Sequence, residues 1–150
     1  MSLDSQLAIL SDNTVQAIRW FNDELQLLDQ RVLPHQIEYL SLFNAKETAT
    51  AITDMVVRGA PAIGITAAYG IATAARNNEN LDHAYQVLAA SRPTAVNLFW
   101  ALERMRHVQP QTFSALLAEA KTIHQEDIQA NIRLGQLGAG LMAADSQIYT

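Results

Sequence analysis

The chain has 150 residues, 10 Lys+Arg against 15 Asp+Glu, a net charge of −5 and no cysteine. That is one domain's worth of sequence, and 49% hydrophobic residues supply a core, which excludes a disordered tail. The missing cysteine excludes a disulfide framework, a thiolate metal site and a cysteine nucleophile within these residues, and the acidic balance argues against nucleic acid as a partner.

The N-terminal Met1-Ser2-Leu3-Asp4 lacks the basic and apolar stretches of a signal peptide. The most apolar run, Ala60 to Ala75, is interrupted by Pro61, glycines, Thr66, Tyr69 and Thr73, so no membrane span is expected. The expectation is a cytoplasmic protein.

The first 43 residues read as strands. Val15, Ala17 and Arg19 alternate with Gln16, Ile18 and Trp20, and Asn22-Asp23 supplies a turn. Leu25, Leu27 and Val32 continue the pattern to Leu33-Pro34, and Ile37, Tyr39 and Phe43 form a third apolar alternation. From Asn44 the period becomes helical. Asn44 with Glu47 fits an N-cap and capping-box partner, and Ala49, Ile52, Met55 and Val56 then predict a helix stopping at Arg58-Gly59. Pro61 suits the first turn of a second helix, which runs to Arg76. After the polar loop Asn77–Asn80 come a helix over 81–90 and another from Pro93 to His107. Leu116, Ala120, Ile123, Ile132 and Leu137 mark a long last helix, which Gly135, Gly138 and Gly140 either break or open to another backbone. Ile148-Tyr149-Thr150 reads as the opening of a strand. The fold class is therefore α+β: a small antiparallel sheet of about three strands, then a bundle of about five helices.

Two stretches carry the chemistry. In Arg58-Gly59-Ala60-Pro61-Ala62-Ile63-Gly64 a helix begins with unpaired N–H groups, no bulky side chain at Gly59 or Ala60, and a guanidinium at Arg58. In Ser91-Arg92-Pro93-Thr94-Ala95-Val96-Asn97-Leu98, the proline forces Arg92 into extended backbone at the rim of a helix start. Together, two arginines at two helix N-termini match a doubly charged phosphate. Spacing alone leaves the plain alternative open at both places: a tight turn with a solvated Arg58, and a helix capped by Ser91 or Thr94 beside a surface Arg92. His35, His83, His107 and His124 lie far apart without metal-ligand spacing and read as surface or cap residues. Glu126 and Asp127 are adjacent on a helix and diverge by about 100°, so they are no acid–base pair. Trp20 and Trp100 read as core or interface residues.

In chain order, Leu28-Asp29-Gln30-Arg31-Val32-Leu33-Pro34, Met55-Val56-Val57-Arg58-Gly59-Ala60-Pro61-Ala62-Ile63-Gly64 and Arg92-Pro93-Thr94-Ala95-Val96-Asn97-Leu98 resemble the N-terminal part of the methylthioribose-1-phosphate isomerase family. The resemblance extends over the chain from Val15. Ribose-1,5-bisphosphate isomerases and regulatory subunits of the translation-initiation guanine-nucleotide exchange factor share the fold. The Arg-Gly-Ala-Pro version resembles the methionine-salvage isomerase more than either of these.

The resemblance implies that Arg58, Gly59, Ala60 and Arg92 contact substrate, and that 5-methylthioribose 1-phosphate is converted to 5-methylthioribulose 1-phosphate without metal or organic cofactor. It also implies a homo-oligomer with a small sugar phosphate as its ligand. In the family a Rossmann-like domain follows, bringing a catalytic Cys and Asp. Residues 1–145 would be the substrate-side domain and 146–150 the start of that second domain. No residue of this chain matches the catalytic pair, so none is assigned, and the 150 residues alone are expected to show no turnover. The alternatives are a non-catalytic sugar-phosphate-binding or interaction module akin to the exchange-factor subunits, and part of a ribose-1,5-bisphosphate isomerase.

Overall fold

The computed structural model describes residues 15–143 and 145–147. The strand expected at Ile148-Tyr149-Thr150 lies outside them, as does the Met1–Asp4 terminus. Strands β1 (Ile18–Phe21), β2 (Glu24–Leu28) and β3 (Tyr39–Leu42) form an antiparallel sheet in the order β1-β2-β3. Five helices follow: α1 (Ala45–Thr53), α2 (Ala60–Arg76), α3 (Leu81–Ser91), α4 (Val96–Arg106) and α5 (Phe113–Ala139). The α+β class and the element counts stand as expected from sequence.

The β1–β2 hairpin turns through Asn22 (φ 50°) and Asp23 (φ 61°), the paired left-handed geometry that matches strand twist. One sheet face is apolar, with Leu25 and Leu27 fully buried and Ile18 and Leu42 nearly so. The other is polar: Arg19 Nε donates to Gln26 Oε1 at 2.7 Å, Gln26 Nε2 to Ser41 Oγ at 3.2 Å, and Arg19 lies 3.6 Å from the Tyr39 ring centroid.

The structure corrects two strand expectations. β2 stops at Leu28, and residues 29–34 form a turned segment rather than more strand. The third alternation falls on the opposite face: Leu42 is buried and Leu40 packs on the core, whereas Ile37 and Phe43 are exposed. A one-residue shift in register reverses every side chain, and pairing of Leu25 with Leu42 and Leu27 with Leu40 decides it.

Helix α2 is the axis of the molecule. Every residue from Ile63 to Ala74 is buried, as expected for a helix that is apolar all round. It packs against α1, α3, α4, α5 and β2. Helix α5 is buried through Leu116, Ala120 and Ile123 only, and its later turns expose Leu134 and Leu137. Gly135 and Gly138 do not break it, and nothing among the described residues lies within 4 Å of a Cβ built at either. The helix ends at Gly140.

The helices alternate in direction. One end of the bundle gathers the starts of α1, α3 and α5, where Asn77 Nδ2 donates to the Phe43 carbonyl and Tyr85 Oη donates to Gln111 Oε1. The starts of α2 and α4 lie at the other end, beside the terminations of α1 and α3, where Thr53 Oγ1 donates to the Ser91 carbonyl at 3.3 Å.

Candidate functional site

Helix α1 ends five residues earlier than its apolar spacing predicts. Asp54 is its C-cap, Met55 is left-handed (φ 58°), the Met55 N–H donates to the Ile52 carbonyl and the Val56 N–H to the Ala51 carbonyl. These are the two reversed bonds of a Schellman closure, usually built on glycine. The chain then tucks Val56 and Val57 into the core and presents Arg58 on the surface. Gly59, at φ 101°, caps α2 with a backbone that side-chain-bearing residues rarely adopt. Pro61 occupies the first turn, so the free amides there are those of Ala60 and Ala62.

Helix α4 corrects another expectation. It starts at Val96 with Ala95 as N-cap, not at Pro93, and Arg92 is the C-cap of α3 (φ −147°, ψ 81°). The proline does turn the Arg92 backbone out of the helix, as the sequence requires. Neither Ser91 nor Thr94 caps α4: Ser91 Oγ donates to the Leu88 carbonyl, and α4 has no side-chain cap. The plain reading of Arg92 thus loses its capping residue.

The two motifs come together through Gly64. A Cβ built on it would stand 2.6 Å from the Asn97 carbonyl oxygen and 3.3 Å from Ala101 Cβ, so the second turn of α2 lies against the first turn of α4. With the Thr53–Ser91 contact, this puts Arg58-Gly59-Ala60 and Arg92 at one end of the bundle.

Side-chain capping separates these two starts from the other three. Asn44 accepts from the Glu47 N–H, Asn80 from the His83 N–H, and Thr112 from the Ala115 N–H, whereas α2 and α4 have no such bond. The arginines divide similarly. Arg19, Arg31, Arg76, Arg104 and Arg106 are engaged by acceptors, carboxylates or rings, while the side chains of Arg58 and Arg92, and of Arg133 late in α5, make no hydrogen bond or ion pair among the described residues. Clefts of about 520, 300 and 150 Å³ include neither arginine in their walls. Arg58, Gly59 and Ala60 are exposed, and Arg92 is half-buried.

Other sequence expectations resolve as follows. Glu126 pairs with Arg104, which also bonds Glu119 and holds the Glu126 carboxyl below the usual carboxylate range. Trp20 is half-buried and stacks on Tyr69 at 5.8 Å, but Trp100 is exposed. His124 is not a surface residue: its Nδ1 lies 3.2 Å from Tyr69 Oη, and burial pushes its pKa down, with Asp127 opposing. Burial likewise pushes the Tyr69 hydroxyl up to about 12. Among the described residues no His/Cys/Asp/Glu group could hold a metal ion, and no helix is long and apolar enough to cross a membrane.

Residue-by-residue reasoning missed one feature, the buried Asp29 carboxylate paired with the exposed Arg31. Asp29 is 3% exposed, and its carboxylate accepts from Arg31 Nε at 2.9 Å and Nη2 at 2.7 Å. The signal lay within the Leu28–Pro34 stretch: a carboxylate two residues before an arginine at the end of an apolar strand.

Comparison with known proteins adds an independent line. The Initiation factor 2 subunit family matches residues 56–150, beginning inside the segment that carries Arg58. Methylthioribose-1-phosphate isomerase of Alcanivorax borkumensis is 50% identical over 145 residues, covering 89% of this chain and 42% of that protein. The enzyme of the same name from Thioalkalivibrio sulfidiphilus is 48% identical, covering 94% and 44%. Among solved structures, 5-methylthioribose 1-phosphate isomerase from Pyrococcus horikoshii superposes with a TM-score of 0.80 at 34% identity, covering 87% of this chain and 41% of that one. Translation initiation factor eIF-2B, subunit delta, from A. fulgidus gives 0.75 at 35% identity, covering 88% and 43%. The chain spans less than half the length of the relatives it matches.

Proposed function

The chain belongs to the Initiation factor 2 subunit family, and on that premise we propose that it is the substrate-binding part of a methylthioribose-1-phosphate isomerase, seating the phosphate of 5-methylthioribose 1-phosphate on Arg58, Gly59, Ala60 and Arg92. The observation that carries this reading is the pair of abutting helix starts that lack side-chain caps, each with an unpaired arginine nearby. Free amides and guanidinium forks are the donors a phosphate dianion selects. Gly59 and Ala60 let the ligand reach the backbone itself.

Within the reaction, these residues bind and orient. A phosphate on the anomeric oxygen prevents simple opening of the ring to a free aldehyde. Holding that phosphate fixes the anomeric carbon for transfer between neighbouring carbons, as a proton or as a hydride. No residue of this chain is assigned the transfer, and no metal or organic cofactor is invoked. The protein is read as cytoplasmic, working as a homo-oligomer on a small sugar phosphate, without nucleic-acid or membrane partners.

Because Arg58, Gly59 and Ala60 are exposed, affinity is expected to be weak, with exposed ion pairs contributing roughly 0–1 kcal/mol each. Isothermal titration with 5-methylthioribose 1-phosphate tests the reading. Arg58→Ala and Arg92→Ala should each weaken binding by about two- to fivefold, and turnover by the 150-residue chain should stay at background. Unchanged affinity in both variants would overturn it. The likeness to the A. fulgidus initiation-factor subunit supports a second reading, a non-catalytic module. That reading gains if the chain binds no sugar phosphate.

A further inference from the structure

The segment 54–59 that delivers Arg58 contains two left-handed residues, Met55 (φ 58°) and Gly59 (φ 101°). A side-chain-bearing residue adopts that conformation only at a steric cost. It persists only where the surroundings hold it.

The holding contact comes from the turn after β2. The Asp29 carboxylate is gripped by both Nε and Nη2 of Arg31, and its Oδ1 also accepts the Arg31 backbone N–H at 3.0 Å. From the other side, the Asp29 N–H donates to the Glu38 carbonyl at 2.8 Å, tying the turn to the start of β3. Closing the turn in this way aims the intervening Gln30 N–H at the Val56 carbonyl, 3.0 Å away. Val56 is the residue after left-handed Met55 and two before Arg58. Arg31 also feels the charge of Asp54, the first residue of the segment, though less than it feels Asp29. A carboxylate hidden from water is a poor source of stability for its own sake, because desolvation offsets the attraction. Its use lies in the geometry it enforces.

We propose that Asp29 and Arg31 are positioning residues for Arg58, a strut that fixes segment 54–59 through the Gln30–Val56 hydrogen bond so that Arg58 and the Gly59–Ala60 backbone stand ready for an oxyanion. The proposal rests on the phosphate reading above. It adds that presentation of the seat depends on a pair that never touches the ligand.

The test combines amide hydrogen exchange with phosphate titration, followed by NMR on the intact chain with inorganic phosphate as probe. In Asp29→Asn, exchange at the Gln30 and Val56 amides should accelerate about tenfold or more, while Ile71 and Leu116 keep wild-type protection. Phosphate affinity should fall about two- to fivefold, matching Arg58→Ala. Arg31→Lys keeps the charge but loses the fork, and should lie between the two. It carries the same measurement should Asp29→Asn fail to fold. Wild-type exchange and wild-type affinity in these variants would overturn the proposal, and so would a uniform rise across the whole core, the mark of mere structural loss. Unchanged phosphate affinity in Arg58→Ala with Asp29 and Arg31 intact would overturn the phosphate reading itself, whatever the Asp29 variants do.

Discussion

The two ends of the helical bundle solve the same problem in opposite ways. At one end the starts of α1, α3 and α5 are closed by Asn44, Asn80 and Thr112, and Glu47 reaches back to the Phe43 N–H at 2.8 Å to complete a capping box. Arginines there are also occupied: Arg76 donates to the Asp23 carbonyl, and Arg106 lies 4.1 Å from the Tyr85 ring centroid. At the other end α2 and α4 start on Gly59 and Ala95, which have no side chain that could cap, and Arg58 and Arg92 are unpaired. Capping stabilises a fold by satisfying orphan amides, so leaving two neighbouring starts uncapped forgoes stability that the same chain secures elsewhere. On the proposed reading, the difference means that the second end is kept free for an outside acceptor.

The contrast can be broken most severely at Gly64. Gly64→Ala puts a Cβ against the Asn97 carbonyl, so α2 and α4 must separate. A loss of about 1–3 kcal/mol in urea unfolding is expected, together with loss of phosphate binding. Asn80→Ala should cost about 1 kcal/mol by the same measurement and leave phosphate affinity unchanged, because it acts at the closed end. Ala95→Asp runs the opposite way. It supplies the missing cap to α4 and should raise stability by about 0.5–1 kcal/mol, while its carboxylate repels phosphate from the seat. If Ala95→Asp improved both properties, the contrast between the ends would fail.

Smaller effects sharpen the picture. Met55→Gly relieves a left-handed side-chain-bearing residue and should stabilise by up to about 1 kcal/mol, visible as a raised urea midpoint. His124 gives a pH signature. Burial lowers its folded pKa, so the unfolded chain binds the extra proton first, and stability present above the unfolded value near 6.5 is lost as pH falls. His124→Gln should flatten the unfolding midpoint between pH 8 and about pH 5 relative to wild type. Tyr69 acts at the alkaline side: with its pKa raised to about 12, stability is lost as pH rises from 10 toward that value.

How much of this was legible in the sequence follows from what each feature depends on. The Asn44–Glu47 box, the Asn22-Asp23 hairpin turn and the apolar α2 are local patterns, and each forms where the sequence indicates. The end of α2 was legible too, since Asn78 (φ 55°) takes the left-handed position for which asparagine is suited. The equivalent closure of α1 was hidden because Met55 occupies that position, and its apolar spacing continues the helical pattern. Strand β3 was assigned the wrong face because Ile37, Tyr39 and Phe43 alternate as regularly as Leu40 and Leu42, and only pairing with β2 distinguishes them. The surface placement of Arg58 before a helix start and the departure of the Arg92 backbone from α3 were legible from glycine and proline placement. The Asp29–Arg31 strut and the Tyr69–His124 contact were not, since the first needs the 54–59 segment beside it and the second joins residues 55 apart in the chain.

The most direct test of the central claim is a crystal structure of the chain bound to 5-methylthioribose 1-phosphate. The account predicts one phosphate within about 3.2 Å of donors on both Arg58 and Arg92, with amides of Gly59–Ala62 completing the seat. A phosphate held by only one of these arginines, or settled in the cleft lined by Arg31, Lys46 and Thr50, would contradict it.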